Sequence, residues 1–458
     1  MIFYTKILVV FLITVVSPYL LYAGENNNYK SSKDIKSVLY SLGNNQSYRI
    51  INFDKKGDGL HSVSFYKTHG PKVRDFSTKM VYSEDRGTAL YCGAGHNRPV
   101  LNDVWEYHLA SNTWYLLHPS DGGLQNNVRN NWRILKAVEK KQSQNQRVDK
   151  KLLSKYGQAK QEMMSWYRKY IKFENGYLQT ISGGPPYPSH TWDGLTYDPN
   201  VKKLLWHPGG EGSLKWYAES NNLSFDELLK KKGITSKVWM YQPASDTWVK
   251  QSIKAGSHQP ALRGMGATLQ YIPDIKKSIF YVAVSNVSPP AYEMWTYDAV
   301  NNVWEEIYPN NGQSISALSR NGVSPFGEVQ SAYSTRDKKL VVLSGSKTWS
   351  YDVLNKEWSF IVDDPKTRGH HVNSVFVYDS VNDIFILIQP GSGYEGNKRS
   401  PYIIRTMKLK EKRWVTVTQE GPEPRKGKWW PPAGYYDPEH NVVVTYNSEE
   451  IWLYRYKK

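Results

Sequence analysis

Side chains able to transfer protons, bind anions and stack on rings recur at intervals along this chain. In order they are Arg74-Asp75, His190-Thr191-Trp192-Asp193, Arg263, Glu328, His370-His371 and Lys428-Trp429-Trp430, with His96-Asn97-Arg98, His207 and Tyr394 between them. Indoles and phenols beside fixed polar groups suit a sugar, because pyranose C–H faces pack on aromatic rings while hydrogen-bonding groups read the hydroxyls. Arg74 and Arg263 carry the planar fork that grips a carboxylate or sulfate in a bidentate way. An imidazole titrating near neutrality lets His190, His370 or His371 act as a general base or metal ligand. The catalytic candidates are therefore His190, His370 and Glu328. The substrate-binding candidates are Arg74, Arg263, Trp192, Asp193, His96, His371, Trp429, Trp430 and Tyr394, and no metal or cofactor is assigned.

If these groups catalyse, the chemistry that suits them is proton abstraction beside a uronate carboxylate, of lyase or epimerase type. A guanidinium or a metal would neutralise the acid while His or Tyr takes the proton. A glycoside hydrolase needs two carboxylates at a suitable separation, and only Glu328, Asp193, Asp75 and Glu211 stand near the right places.

The elements that position these residues are set by an internal repeat. Four segments share W-x-Y-x6-W: VWEYHLASNTW at 104–114, VWMYQPASDTW at 238–248, MWTYDAVNNVW at 294–304 and TWSYDVLNKEW at 348–358. A degenerate fifth copy ends at Trp414, and a sixth begins at Trp452. Each alternates, meets a polar turn and resumes with Trp, which reads as a β-hairpin. A second hairpin precedes each copy, with Tyr at its second position in all six: Tyr82, Tyr197, Tyr271, Tyr333, Tyr378 and Tyr436. Two hairpins per unit make a four-stranded blade, and six units make an all-β, six-bladed propeller whose repeated Trp and Tyr pack between neighbours. The last blade lacks its outermost strand, which the stretch near 48–51 could supply.

Two insertions interrupt the repeat. Residues 124–180 have helical propensity, many cations and an apolar stripe of Leu152, Tyr156, Met163, Trp166, Tyr167 and Tyr170, expected to pack on the propeller. Residues 211–237 contain a capping box at Ser224 and Glu227, with Gly233 as the C-cap. In a propeller, blade-to-blade loops and second-to-third-strand loops share one face. Both insertions should therefore rise from that face, beside the starts of the innermost strands where the candidate residues cluster.

This arrangement resembles the kelch repeat family, including the propeller of galactose-oxidase-like proteins, over residues 70–458. The motif Y-D-x5-W at 297–304 and 351–358 carries the resemblance, and Gly209-Gly210 stands where the family's glycine pair falls. Elsewhere Gly93-Ala94-Gly95, Gly345 and Gly391 replace the pair. The resemblance gives each Arg or His near an inner strand an alternative role in blade contacts. It also raises copper radical oxidation, which would need a Cys–Tyr crosslink, a second Tyr and two His. Cys92, late in its strand, has no evident partner set for that chemistry. A sialic-acid mutarotase is similar as an exported six-bladed ring, but its site does not carry over by motif.

Lys6 before the apolar run at 7–16 and the small pair Ala23-Gly24 read as a secretory leader over 1–23, followed by an N-terminal segment over 24–69. The product is thus expected to be secreted or periplasmic, with no membrane span after cleavage. Within 458 residues the chain holds one Cys, 17 Trp and a net charge of +17, which excludes a disulfide scaffold and a disordered chain. Positive charge favours an anionic partner. No dinucleotide, phosphate-loop, HExxH, CxxC or EF-hand pattern is present, and dispersed cations on an exported chain argue against nucleic acid. The sequence thus points to a ring that binds, and could process, an anionic glycan or small acidic sugar; it leaves the oligomeric state open, with a monomer plausible. A noncatalytic scaffold or adhesin is the alternative.

Overall fold

A computed structural model of the protein describes residues 33–57, 71, 73–74, 76–93, 102–120, 125–174, 177–186, 188–208, 210–211, 214–223, 238–249, 259–260, 265–285, 290–367, 373–391, 402–425, 427 and 431–458. The repeat builds six antiparallel sheets arranged as the blades of a propeller. Their innermost strands are Val81–Ser83, Leu195–Asp198, Thr268–Ile272, Gln330–Ser334, Val375–Asp379 and Ala433–Asp437.

The W-x-Y-x6-W spacing has a direct geometric cause. It places Tyr and the second Trp opposite each other across the outer hairpin, as Tyr107↔Trp114, Tyr241↔Trp248, Tyr297↔Trp304 and Tyr351↔Trp358. Their ring centroids lie 4.6–5.1 Å apart, the cross-strand contact that stabilises a sheet. Five residues after the Tyr comes the turn residue with positive φ, Asn112, Asp246 or Asn302. Its side-chain oxygen accepts a hydrogen bond from the Tyr hydroxyl at 3.0, 2.5 and 2.9 Å respectively. Asn and Asp tolerate the left-handed conformation the turn demands.

Burial confirms that the aromatic surplus packs between blades. Each of the six junctions has its own apolar cluster, from Tyr91, Trp105 and Trp114 against Tyr435, Tyr446 and Leu453 at the blade 6–1 seam to Ile386 and Ile404 against Trp452 and Tyr454 between blades 5 and 6. Cys92 lies wholly buried in the blade 1–2 cluster, and burial pushes its thiol pKa well up.

The seam is held by the N-terminal segment. Gln46–Ile50 pairs antiparallel with Ile451–Arg455 as the outer strand of blade 6. After three intervening residues, Asp54–Gly57 pairs in parallel with blade 1, where Lys55 faces Trp114, giving that blade a fifth strand. Helix Lys33–Ser41 adds Ile35 and Leu39 to the seam cluster.

Near this seam, burial holds the His108 imidazole down at about 4, helped by the charge of His440 and opposed by Glu106 and Asp437. A folded-state pKa below the unfolded value near 6.5 means that the unfolded chain binds more protons between those limits. The His108 contribution is therefore complete above pH 6.5 and is lost as pH falls toward 4. Denaturant midpoints at pH 7 and 4.5 should differ less in His108→Gln than in the native protein; an unchanged difference would contradict this.

Helices Gln125–Ser143 and Lys150–Tyr170 leave the ring between blades 1 and 2 and pack on each other as an arm. The apolar stripe does not lie on a blade, as the sequence suggested. Met163, Trp166 and Tyr167 close a separate cluster with Leu135, Tyr217 and Ala218. Tyr217 and Ala218 belong to helix Leu214–Ser220 of the second insertion, and Lys160 pairs with its Glu219 at 3.0 Å. The two insertions thus rise from one face and complete each other's core. The capping box at Ser224 and Glu227 lies outside the described residues, and no described helix is long and apolar enough to cross a membrane.

Candidate functional site

All six inner strands run in the same direction, so their starts gather at one mouth of the central channel and their ends at the other. At the first mouth, Phe76, His190 and Trp192 all have positive φ, of 58°, 53° and 49°. Bulky residues rarely adopt that conformation, and such outliers concentrate at functional sites. The three rings form one cluster with centroids 4.8–5.3 Å apart, and the Trp192 amide donates to the Phe76 carbonyl at 2.6 Å. Behind them Gly93 is required by space, since a Cβ there would lie 2.2 Å from Ser77 Oγ. Trp192 is buried, while His190 and Phe76 are half-buried.

Two candidates at this mouth are engaged by the wall itself. Arg74 is 1% exposed: one guanidinium nitrogen donates to Asp103 at 2.6 Å and another to the Gly93 carbonyl. Asp193 faces the channel axis, where its Oδ2 accepts from Lys79 at 3.2 Å, the Ser331 amide at 3.0 Å and the Thr268 hydroxyl. Lys79 also donates to the Leu269 carbonyl and Gln270 Oε1, at 3.0 and 3.2 Å. Burial pushes Lys79 below the usual lysine range and Asp193 above the usual carboxylate range, and each partner's charge opposes the shift. This network joins blades 1 to 4. Arg74 and Asp193 thus both have partners within the wall, which a one-dimensional reading could not show. His207 is likewise buried, 4.5 Å from the Phe280 ring.

Glu328 occupies a different setting. It lies half-buried in a groove of about 500 Å³ with Phe326, Ser344, Ser346, Lys347 and Trp349. The groove is formed by the loop entering blade 4 and that blade's second-to-third-strand turn, on the face that carries the insertions. Phe326 is 47% exposed and stacks on Tyr292, over which Arg320 sits at 5.9 Å. A Cβ on Gly266 would stand 2.9 Å from Glu328 Cγ, so the glycine allows the carboxylate its place. Phe326, Tyr292 and Lys347 were not singled out in the sequence; the only available signal was Phe326 standing two residues before Glu328. His96, Arg263, His370, His371, Tyr394, Trp429 and Trp430 lie outside the described residues.

The opposite mouth is built from the repeated tyrosines. Tyr82, Tyr197, Tyr271, Tyr333, Tyr378 and Tyr436 line a cavity of about 350 Å³ with Lys79 and Gln270 deeper in. Four of their hydroxyls reach a turn of the preceding blade: Tyr82 donates to Glu439 at 3.3 Å, Tyr197 to Asp85 and Tyr333 to Asp274 at 2.6 Å, while Tyr271 accepts from Asn200 at 2.9 Å. Burial, then neighbouring carboxylates, raise the pKa of Tyr82 and Tyr333 and keep both phenols protonated.

No family profile matches the chain, and no curated protein matches it. Solved structures with a similar backbone include a chain of a mitotic checkpoint complex, at 9% identity over 85% of this chain and 90% of that one, with a TM-score of 0.39. An auxiliary nutrient binding protein from Bacteroides ovatus aligns at 9% identity over 60% of each chain, with a TM-score of 0.33. YjhT aligns at 12% identity over 47% of this chain and 70% of its own, with a TM-score of 0.31. Likeness at this level carries no chemistry.

Proposed function

We propose that this chain is an exported, kelch-type propeller that binds an anionic carbohydrate on the face carrying its insertions. The observation that carries the reading is the groove at Glu328. It combines an exposed aromatic ring, two serine hydroxyls, a lysine and one carboxylate, the mixture that packs and orients a sugar. Lys347 offers the charge complement to a uronate or sulfate. The leader-like start and the single buried cysteine support export. Of the predicted titratable site residues described at this face, His190 and Glu328 are both half-buried. A proton-abstraction step, if the ring catalyses one, would draw on this pair together with the histidines at 370 and 371.

Calorimetric titration against uronate-bearing and sulfated oligosaccharides tests the reading. Phe326→Ala should weaken binding by about tenfold, the loss of one aromatic packing contact, and Lys347→Gln should weaken acidic sugars more than neutral ones. Equal affinity in Phe326→Ala would refute the groove as the site. Release of unsaturated product, followed at ultraviolet wavelengths, would extend binding to lyase chemistry. A noncatalytic role is the second reading, favoured by the ion pairs that occupy Arg74 and Asp193.

A further inference from the structure

The net charge of +17 is not spread evenly over the fold. Residues 125–170, the helical arm, contain 12 Lys and Arg against three Asp and Glu. More than half of the molecule's net charge therefore sits on about a tenth of its length. The acids are occupied internally: Asp149 caps the second helix by accepting from the Leu152 amide at 2.8 Å, and Glu162 accepts from Asn131 and Gln158.

The cations concentrate toward the arm's tip. Lys136, Lys140, Lys150, Lys151 and Lys155 are all exposed, and none forms an ion pair among the described residues. Lys136 lies over the Trp132 ring at 4.9 Å. Lys150 and Lys151 open a helix whose N-terminal end carries partial positive charge and whose first turn holds no acid, with Asp149 at the N-cap as the carboxylate beside them. Positive charge crowded in this way favours association with an external anion. The first helix of the pair spreads this charge along about 28 Å, at 1.5 Å per residue.

We infer that the arm is a capture surface for an extended polyanion, specifically a sulfated or uronate-bearing polysaccharide chain. The identity of the polymer as a glycan rests on the reading of the Glu328 groove, which opens on the same face; the charge argument stands apart from it. An anionic membrane fits less well, since an interfacial helix needs a free apolar face and here Leu135, Met163, Trp166 and Tyr167 are turned into the arm's own core. Nucleic acid fits less well because single-strand binding draws on exposed stacking rings. The arm's described aromatics Trp132, Tyr156, Trp166, Tyr167 and Tyr170 are at least partly buried in that core.

The test uses the full chain and a variant with Lys136, Lys140, Lys150, Lys151 and Lys155 all changed to Gln. Heparin serves as the polyanion and a uronate tetrasaccharide as the groove probe. Removing five anion contacts should weaken heparin binding by about 100-fold near physiological salt and flatten the dependence of log affinity on log salt by about four. Tetrasaccharide affinity and helix content by circular dichroism should not change. Undiminished heparin affinity and salt slope in the five-lysine variant would overturn the proposal. So would tighter binding by the native chain to duplex DNA or phosphatidylglycerol vesicles than to heparin. Loss of tetrasaccharide binding in Phe326→Ala with heparin binding intact would support two separate surfaces. Absence of tetrasaccharide binding in the native chain, with the heparin effect present, would remove the groove reading and leave the arm.

Discussion

Replacing Asp193 by Asn should destabilise the ring by about 3–5 kcal/mol, the cost of leaving one member of a buried ion pair without its partner. Asparagine keeps an oxygen for the Thr268 hydroxyl and the Ser331 amide, so the change isolates the charge on Lys79. Two consequences separate this from a general packing defect. The loss should shrink as pH rises, because burial already lowers the Lys79 pKa and less free energy is then needed to remove its proton. The double change Lys79→Met with Asp193→Leu should cost less than Asp193→Asn alone, since apolar isosteres remove both desolvation penalties. Urea unfolding of the three proteins at pH 7 and 9 decides the matter. A single variant within about 1 kcal/mol of native would mean that the pair contributes little to holding blades 1 to 4 together.

Removing residues 1–57 should have an effect of comparable size at the seam. The segment buries Ile35, Leu39, Leu42 and Ile50, each contributing about 1.5–3 kcal/mol when taken from water. Its loss would also leave Ile451–Arg455 as an open edge strand, the usual template for aggregation. The truncated chain should unfold at lower urea and associate at concentrations where the full chain does not. A synthetic peptide of residues 33–57 added in trans should reverse both changes, as strand addition does in other sheets. Equal unfolding midpoints with and without the segment would contradict its role in holding the seam.

The comparison of sequence with structure divides along the range of the interactions. The spacing of Trp105, Tyr107 and Trp114 is local, because one hairpin brings them together, so the blades could be read from the chain alone. The hairpin tyrosines were legible as a repeat, but not as the lining of the second mouth, which depends on six blades closing. Asp54–Gly57 left no mark at all: a parallel strand added at an edge has no turn residue or paired hairpin to announce it. Arg74 and Asp193 look in sequence like groups waiting for a ligand. Only the folded ring shows Asp103 against the first and Lys79 against the second, and Lys79 is 114 residues from its partner. The arm's stripe was correctly apolar and wrongly directed, since helix Leu214–Ser220, which completes its core, comes from a separate insertion.

The pairing of Gln46–Ile50 with Ile451–Arg455 also sets an order of events. A strand near the beginning of the chain waits for one near its end, separated by some 400 residues of synthesis. Until Ile451–Arg455 is made, blades 1 to 5 can be complete while the ring stays open, and the early strand has no partner of its own. Closure is then a single late event that admits the whole molecule to its final state at once. A chain built this way stays unlocked, with its two ends free to move apart, until its last strand is made.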